Sequence, residues 1–160
     1  MKQLNINIKF NIYQYEELND TDRKLIDKAR EMTKHSYAPY SKFCVGAAAL
    51  LKSGIIVTGS NQENAAFPSG LCAERTTLFY ANSRYPEQPV VTLAIAAFDG
   101  KDFLKDPIPP CGACRQVILE TESRYNHPVR ILLYGTDGIY EAQSVKDLLP
   151  LSFDKSSMKK

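Results

Sequence analysis

Histidine is nearly missing from this chain: His35 and His127 are the two among 160 residues. One follows a stretch read below as a helix and the other precedes Pro128 in a turn, neither at ligand spacing from a cysteine, so both read as surface residues. Long apolar runs are missing as well. None approaches the roughly 20 residues of a membrane-spanning helix, and Met1–Asn5 lacks the apolar core of a signal peptide, so the chain is expected in the cytoplasm with no membrane partner. Charge of one sign is scarce: the formal net charge is +2. No stripe of Lys and Arg interleaved with aromatics is present, as a nucleic-acid channel requires, so nucleic acid is excluded as a partner and a small diffusible molecule is expected. Cysteine is sparse too, at four residues. In a reducing compartment four cysteines are metal ligands or free thiols rather than a disulfide frame.

What remains is an ordinary globular composition. With 44% apolar residues, a chain of this length buries about two-thirds of its unfolded surface as a single domain. Repeats and low-complexity segments are lacking.

Three of the four cysteines sit in two short pieces, Cys72-Ala73-Glu74-Arg75 and Pro110-Cys111-Gly112-Ala113-Cys114-Arg115. Each piece stands where a loop runs into a helical pattern. A structural Zn²⁺ site wants four tetrahedral donors, whereas a catalytic one wants three and a water. One single cysteine plus one C-x-x-C pair makes three ligands the natural count, Cys72, Cys111 and Cys114. Glu74 follows Cys72 by two residues, which places its carboxylate beside the metal without ligating it, the position of a proton carrier. Three thiolates would leave the bare site at a formal −1 and blunt the metal. Both pieces start helices, whose unpaired N–H groups and positive dipole end draw electron density off sulfur. Arg75 and Arg115 stand next in line, and Arg75 at least is expected to donate a hydrogen bond to a ligand sulfur.

Two blander readings compete. Cys44 would complete a closed four-cysteine structural site, but it lies alone in an apolar strand run and reads as a small buried residue. A redox role for Cys111 and Cys114 finds nothing thioredoxin-like around the pair.

Along the chain, Leu4, Ile6, Ile8, Phe10 and Ile12 alternate with polar residues, predicting a half-buried strand ahead of the main domain. Asn19, Asp20 and Thr21 are capping types, and Leu25, Ile26, Ala29, Met32 and Thr33 recur at helical spacing, predicting a helix from about Asp20 to Lys34. Pro39 forbids its continuation. Cys44–Leu51 and Ile55–Gly59 read as a hairpin. Cys72 to about Ser83 reads as a helix with Leu78, Phe79 and Ala81 buried, and Val90–Phe98 as a strand covered on both faces. A helix from about Cys111 to Arg124, strands at Val129–Tyr134 and Ile139–Gln143 joined through Gly135–Gly138, and a short helix near Val145–Leu149 complete the pattern. The expected architecture is α/β, a three-layer α/β/α arrangement with a mixed sheet of about five strands. Residues 1–19 are expected as an extension with one strand, 20–153 as the catalytic domain and 154–160 as a disordered tail.

The stretches Tyr37–Gly46, Asn61–Arg75 and Pro110–Gln116, with their Cys-x-Glu and Pro-Cys-x-x-Cys elements, resemble the small, homotetrameric zinc type of cytidine deaminase. The likeness runs from about Asp20 to Phe153. It implies one Zn²⁺ per chain on Cys72, Cys111 and Cys114, hydrolytic deamination of cytidine and 2′-deoxycytidine to the uridines in pyrimidine salvage, and Glu74 as the acid–base group. It further implies that Asn61 and Glu63 grip the ribose hydroxyls, that Phe43 lines the nucleoside pocket, and that the Ala73 backbone bonds the base. Gln116 would join the network around the metal. Phe153 would reach over the base of a neighbouring subunit, making a homotetramer with shared active sites. Gln62 and Phe67 depart from the family's usual aliphatic residue and tyrosine, so fine substrate preference is open. A deaminase of cytosine-nucleoside analogues and a silent zinc scaffold are the competing functions, separated by turnover of cytidine.

Overall fold

The run Cys44-Val-Gly-Ala-Ala-Ala-Leu-Leu51 carries no charge on either face, and in the computed structural model, which describes residues 1–158, it is the strand about which both helical layers pack. In chain order the elements are β1 (Asn11–Tyr13), α1 (Asp20–Met32), β2 (Cys44–Leu51), β3 (Ile56–Ser60), α2 (Ala73–Arg84), β4 (Val90–Phe98), α3 (Gly112–Tyr125), β5 (Arg130–Tyr134) and β6 (Ile139–Ala142). The strands form one sheet in the order β1-β6-β5-β4-β2-β3. β4 and β5 run parallel and the other neighbours antiparallel. A parallel pair needs a crossover, and α3 supplies it.

Alternation along the strands divides the core. Ala47, Ala49, Leu51, Leu93 and Ile95 pack with Leu78, Ala81, Ile118 and Leu119 of α2 and α3. Ala48, Ala94 and Ala96 point the other way, onto Leu25, Ile26 and Ala29 of α1. Each fully buried Leu or Ile contributes about 1.5–3 kcal/mol. The helices lie close on the sheet because two strand positions lack a side chain. A methyl group on Gly46 would stand 2.0 Å from the Ala29 carbonyl oxygen, and one on Gly59 would stand 2.6 Å from Thr77 Oγ1. α1 starts where Asn19 accepts a hydrogen bond from the Asp22 N–H at 2.9 Å, a side-chain N-cap.

The three-layer α/β/α expectation holds, with α1 on one face and α2 and α3 on the other. The sheet has six strands rather than about five, because the N-terminal strand joins it. That strand is also shorter than its pattern predicts. Asn11, Ile12 and Tyr13 pair with Glu141, Tyr140 and Ile139. β6 then ends at Ala142, and Ser144 caps a short 3₁₀ turn over Val145–Asp147. The strand begins only at Asn11, and Leu4, Ile6, Ile8 and Phe10 ahead of it, like Ile12 within this edge strand, are exposed, not half-buried.

Two further expectations change. Phe79 is 47% exposed, with Tyr80 beside it also exposed. Successive helical residues point about 100° apart, so Leu78, Phe79 and Ala81 cannot all face the sheet. In the tail, Lys155–Met158 forms a short 3₁₀ turn instead of lying disordered, with Lys155 Nζ on the Ser123 carbonyl at 2.8 Å. The last two residues of that expected tail, 159–160, lie outside the described residues.

Candidate active site

Cys72 and Cys111 occupy the same position in their helices, the N-cap of α2 and of α3 respectively, each with extended backbone. The helix starts meet at the end of the sheet and bring the two cysteine pieces together. The sulfurs of Cys72, Cys111 and Cys114 all lie within 4.8 Å of one another, with Cys44 outside the group. Cys72 and Cys111 are 3.8 Å apart, Cys111 and Cys114 3.5 Å. A tetrahedral zinc with bonds of about 2.3 Å to sulfur separates its ligands by about 3.8 Å. The donor set therefore fits zinc in chemistry and in spacing.

The thiols are graded in exposure and acidity. Cys114 is fully buried, Cys72 partly so, and Cys111 is exposed. A hydrogen bond from Cys114, helped by the Arg75 guanidinium, pulls the Cys72 thiol down to about 5. The same bond, together with burial, pushes Cys114 up. Arg75 Nη2 reaches Cys72 Sγ at 3.8 Å and the Gly70 carbonyl at 3.4 Å, as expected of the residue that offsets thiolate charge. Arg115 does otherwise: its Nε donates to the Pro110 carbonyl at 2.8 Å and its Nη1 to that of Leu148 at 2.6 Å. It ties the loop before Cys111 to the C-terminal turn and does not touch sulfur.

Glu74 sits in the first turn of α2 and is 4% exposed. Burial, and then the charge on Cys72, raise its pKa. With Cys72, Cys111 and Arg75 it forms one wall of a cavity of about 700 Å³, a volume in the range of small-molecule sites. Phe43, Asn61 and Glu63 line the same cavity. The Asn61 side chain accepts from the Val45 N–H at 2.8 Å and donates to the Phe43 carbonyl at 2.9 Å. Ala73 opens α2, so its N–H is one of those a helix leaves unpaired.

Ala73, Cys114, Arg115, Gln116 and Phe153 lie outside the cavity lining. Gln116 Nε2 donates to the Phe153 carbonyl at 2.8 Å, holding the tail rather than the metal site. The Phe153 side chain is 62% exposed. Conversely, Tyr40, Ser41, Ile108 and Pro109 line the cavity without having been singled out in the sequence. Tyr40 meets Phe67 edge-on at 5.8 Å, forming an aromatic rim. The signal for Ser41 was its place two residues before Phe43; what it bonds to was invisible.

Comparison with known proteins agrees with this geometry. Residues 19–126 match the family model described as the cytidine and deoxycytidylate deaminase zinc-binding region. The cytidine deaminase of Halalkalibacterium halodurans is 40% identical over 134 residues, covering 84% of this chain and 95% of that one. That of Mycobacterium tuberculosis is 41% identical over 128 residues, covering 78% and 84%. Among solved structures, cytidine deaminase from Burkholderia pseudomallei superimposes with a TM-score of 0.70 at 36% identity, covering 81% of this chain and 97% of that one. A family model spanning both cysteine pieces, and relatives that align over nearly their whole length, lead to one conclusion: this chain belongs to the cytidine and deoxycytidylate deaminase family.

Proposed function

We propose that the protein hydrolytically deaminates cytidine and 2′-deoxycytidine to uridine and 2′-deoxyuridine, releasing ammonia. The observation that carries this reading is a buried carboxylate, Glu74, beside three converging sulfurs on the wall of a nucleoside-sized cavity. Zinc, held by Cys72, Cys111 and Cys114, would supply a nucleophile at neutral pH by lowering the pKa of water from 15.7 towards about 7. Glu74 takes the proton from the attacking water and delivers it to the ring nitrogen beside the amine-bearing carbon. It then carries the remaining proton to the amine as the C–N bond breaks, so one carboxylate acts as base and then as acid.

Among the described residues, the one cation lining the cavity is Arg75, and it is engaged with Cys72 and Gly70. A 5′-phosphate would meet Glu63, Glu74 and thiolates there instead of a free positive charge, which favours nucleosides over nucleotides or nucleic acid. Phe43, Asn61 and Glu63 would hold the sugar and the Ala73 N–H the base. Phe153, exposed and outside its own cavity, would complete a neighbour's site. Phe79 and Tyr80, exposed on α2, and Phe67 give the apolar surface that a homotetramer would cover. Residues 20–153 would be the catalytic unit, with 1–19 and 154–160 as additions. Among the described residues no helix is long and apolar enough to cross a membrane. Thiol ligands fit the reducing cytoplasm.

Mixing cytidine with the zinc-loaded protein should lower the ultraviolet absorbance of cytosine as uridine forms. A protein with one zinc per chain that leaves cytidine unchanged would make the site a structural staple.

A further inference from the structure

The carboxylate of Glu63 is held in place by the loop of residues 38–43. Lys42 takes a left-handed backbone, φ 60°, and its N–H bonds to the Ala38 carbonyl at 3.1 Å. This tight reversal sets the Phe43 N–H on Ser41 Oγ at 3.0 Å, so the hydroxyl oxygen is already accepting a hydrogen bond and its own proton is directed at Glu63 Oε1. The N–H groups of Tyr40, at 2.9 Å, and Ser41, at 3.3 Å, donate to Glu63 Oε2. A carboxylate offers about four acceptor sites, two on each oxygen. Among the described residues two are filled on Oε2 and one on Oε1, which leaves one acceptor site open on a carboxylate that lines the cavity. The same loop fixes Phe43 from both sides, since Asn61 bonds its carbonyl and Ser41 its N–H.

We propose that Ser41 is a positioning residue for sugar recognition, which orients Glu63 so that its one open acceptor site meets one sugar hydroxyl. The inference rests on the reading that Glu63 faces the sugar. An acceptor-only site rewards a hydroxyl donor and rejects its absence, because the carboxylate is then left unpaired. The ring hydroxyl that cytidine and 2′-deoxycytidine share is the 3′ one, and it is the group assigned to that site. The Ser41 bond also holds Glu63 below the usual carboxylate range, which keeps it ionised and acceptor-only.

The test compares kcat/KM on cytidine and 3′-deoxycytidine for the zinc-loaded wild type and for Ser41→Ala, Ser41→Thr and Glu63→Gln. Glu63→Gln is expected to lose roughly 10- to 100-fold on cytidine and little on the 3′-deoxy analogue, the size of a lost charge-assisted hydrogen bond. Ser41→Ala should lose about tenfold with the same selectivity, and Ser41→Thr, which keeps the hydroxyl, should restore it. If Ser41→Ala fails to fold, Ser41→Cys, with a weaker donor of similar shape, takes its place in the comparison. Equal losses on both nucleosides for the Ser41 variants, with Glu63→Gln still selective, would reduce Ser41 to a loop staple and leave Glu63 in its role. Equal losses for Glu63→Gln would remove Glu63 from the sugar, and the role of Ser41 with it.

Discussion

Single side chains decide the chemistry, and Glu74 is the first to test. Glu74→Gln keeps the shape and the three sulfurs, so it should bind zinc normally and lose about 10²- to 10⁴-fold in kcat, the usual contribution of an acid–base group. Metal analysis alongside steady-state kinetics reads both. Arg75→Gln removes the guanidinium that touches Cys72 and should weaken zinc affinity or turnover by roughly 10- to 100-fold, measured by chelator competition and by rate. These residues were legible because their chemistry is local: a cysteine and a carboxylate two positions apart at a helix start can be read without knowing the fold. Ser41 and Glu63 were not legible as a pair, since they lie 22 residues apart on two loops. The partners of Arg115 were hidden for a related reason. Being adjacent in sequence to Cys114 places it near the metal, yet the carbonyls of Pro110 and Leu148 claim its guanidinium.

At the level of elements, two buried carboxylates tie the layers together. Glu122, near the end of α3, accepts from the N–H groups of Val129 and Val145, each at 2.9 Å, and from the Ser144 hydroxyl. It joins α3 to the start of β5 and to the turn that precedes the tail. Glu122→Ala should cost about 1–3 kcal/mol for the buried amides left unpaired, measured by denaturant unfolding. Glu141 on β6 and Asp22 on α1 share Arg130 of β5, while Asn11 and Tyr13 of β1 bond the same Glu141 carboxylate. Burial works to raise the pKa of Glu141, but the hydrogen bonds from Asn11 and Arg130 prevail and hold it below the ordinary value. A depressed carboxylate stabilises the fold above its unfolded pKa of about 4.3, and that contribution is lost as pH falls through the folded-state value. The Tm of the wild type should therefore drop on acidification below that point more steeply than the Tm of Glu141→Gln. Helices and strands inside the main unit were readable from period and caps. The partner of β1 was not, because alternation announces a strand without saying which edge it joins or how long that edge is.

For the whole molecule, the question is whether one chain makes a complete site. Phe153 is exposed, lies outside the lining of its own cavity and is held by its backbone to Gln116. If neighbours exchange this residue, Phe153→Ala should lower activity in a homogeneous preparation. Reassembling it with Glu74→Gln, which lacks its own acid–base group but carries an intact Phe153, should restore activity above the sum of the separate variants. Activity that stays additive on mixing would confine each site to one chain. Composition and motif spacing could announce the family and the metal, but not the outward-facing Phe79 and Tyr80, because exposure depends on which helix face the sheet has already claimed. The bond between Asn11 and Glu141 spans 130 positions of chain. On the ribosome, β1 thus emerges long before the strand it pairs with, and its edge stays open until β6 has been made.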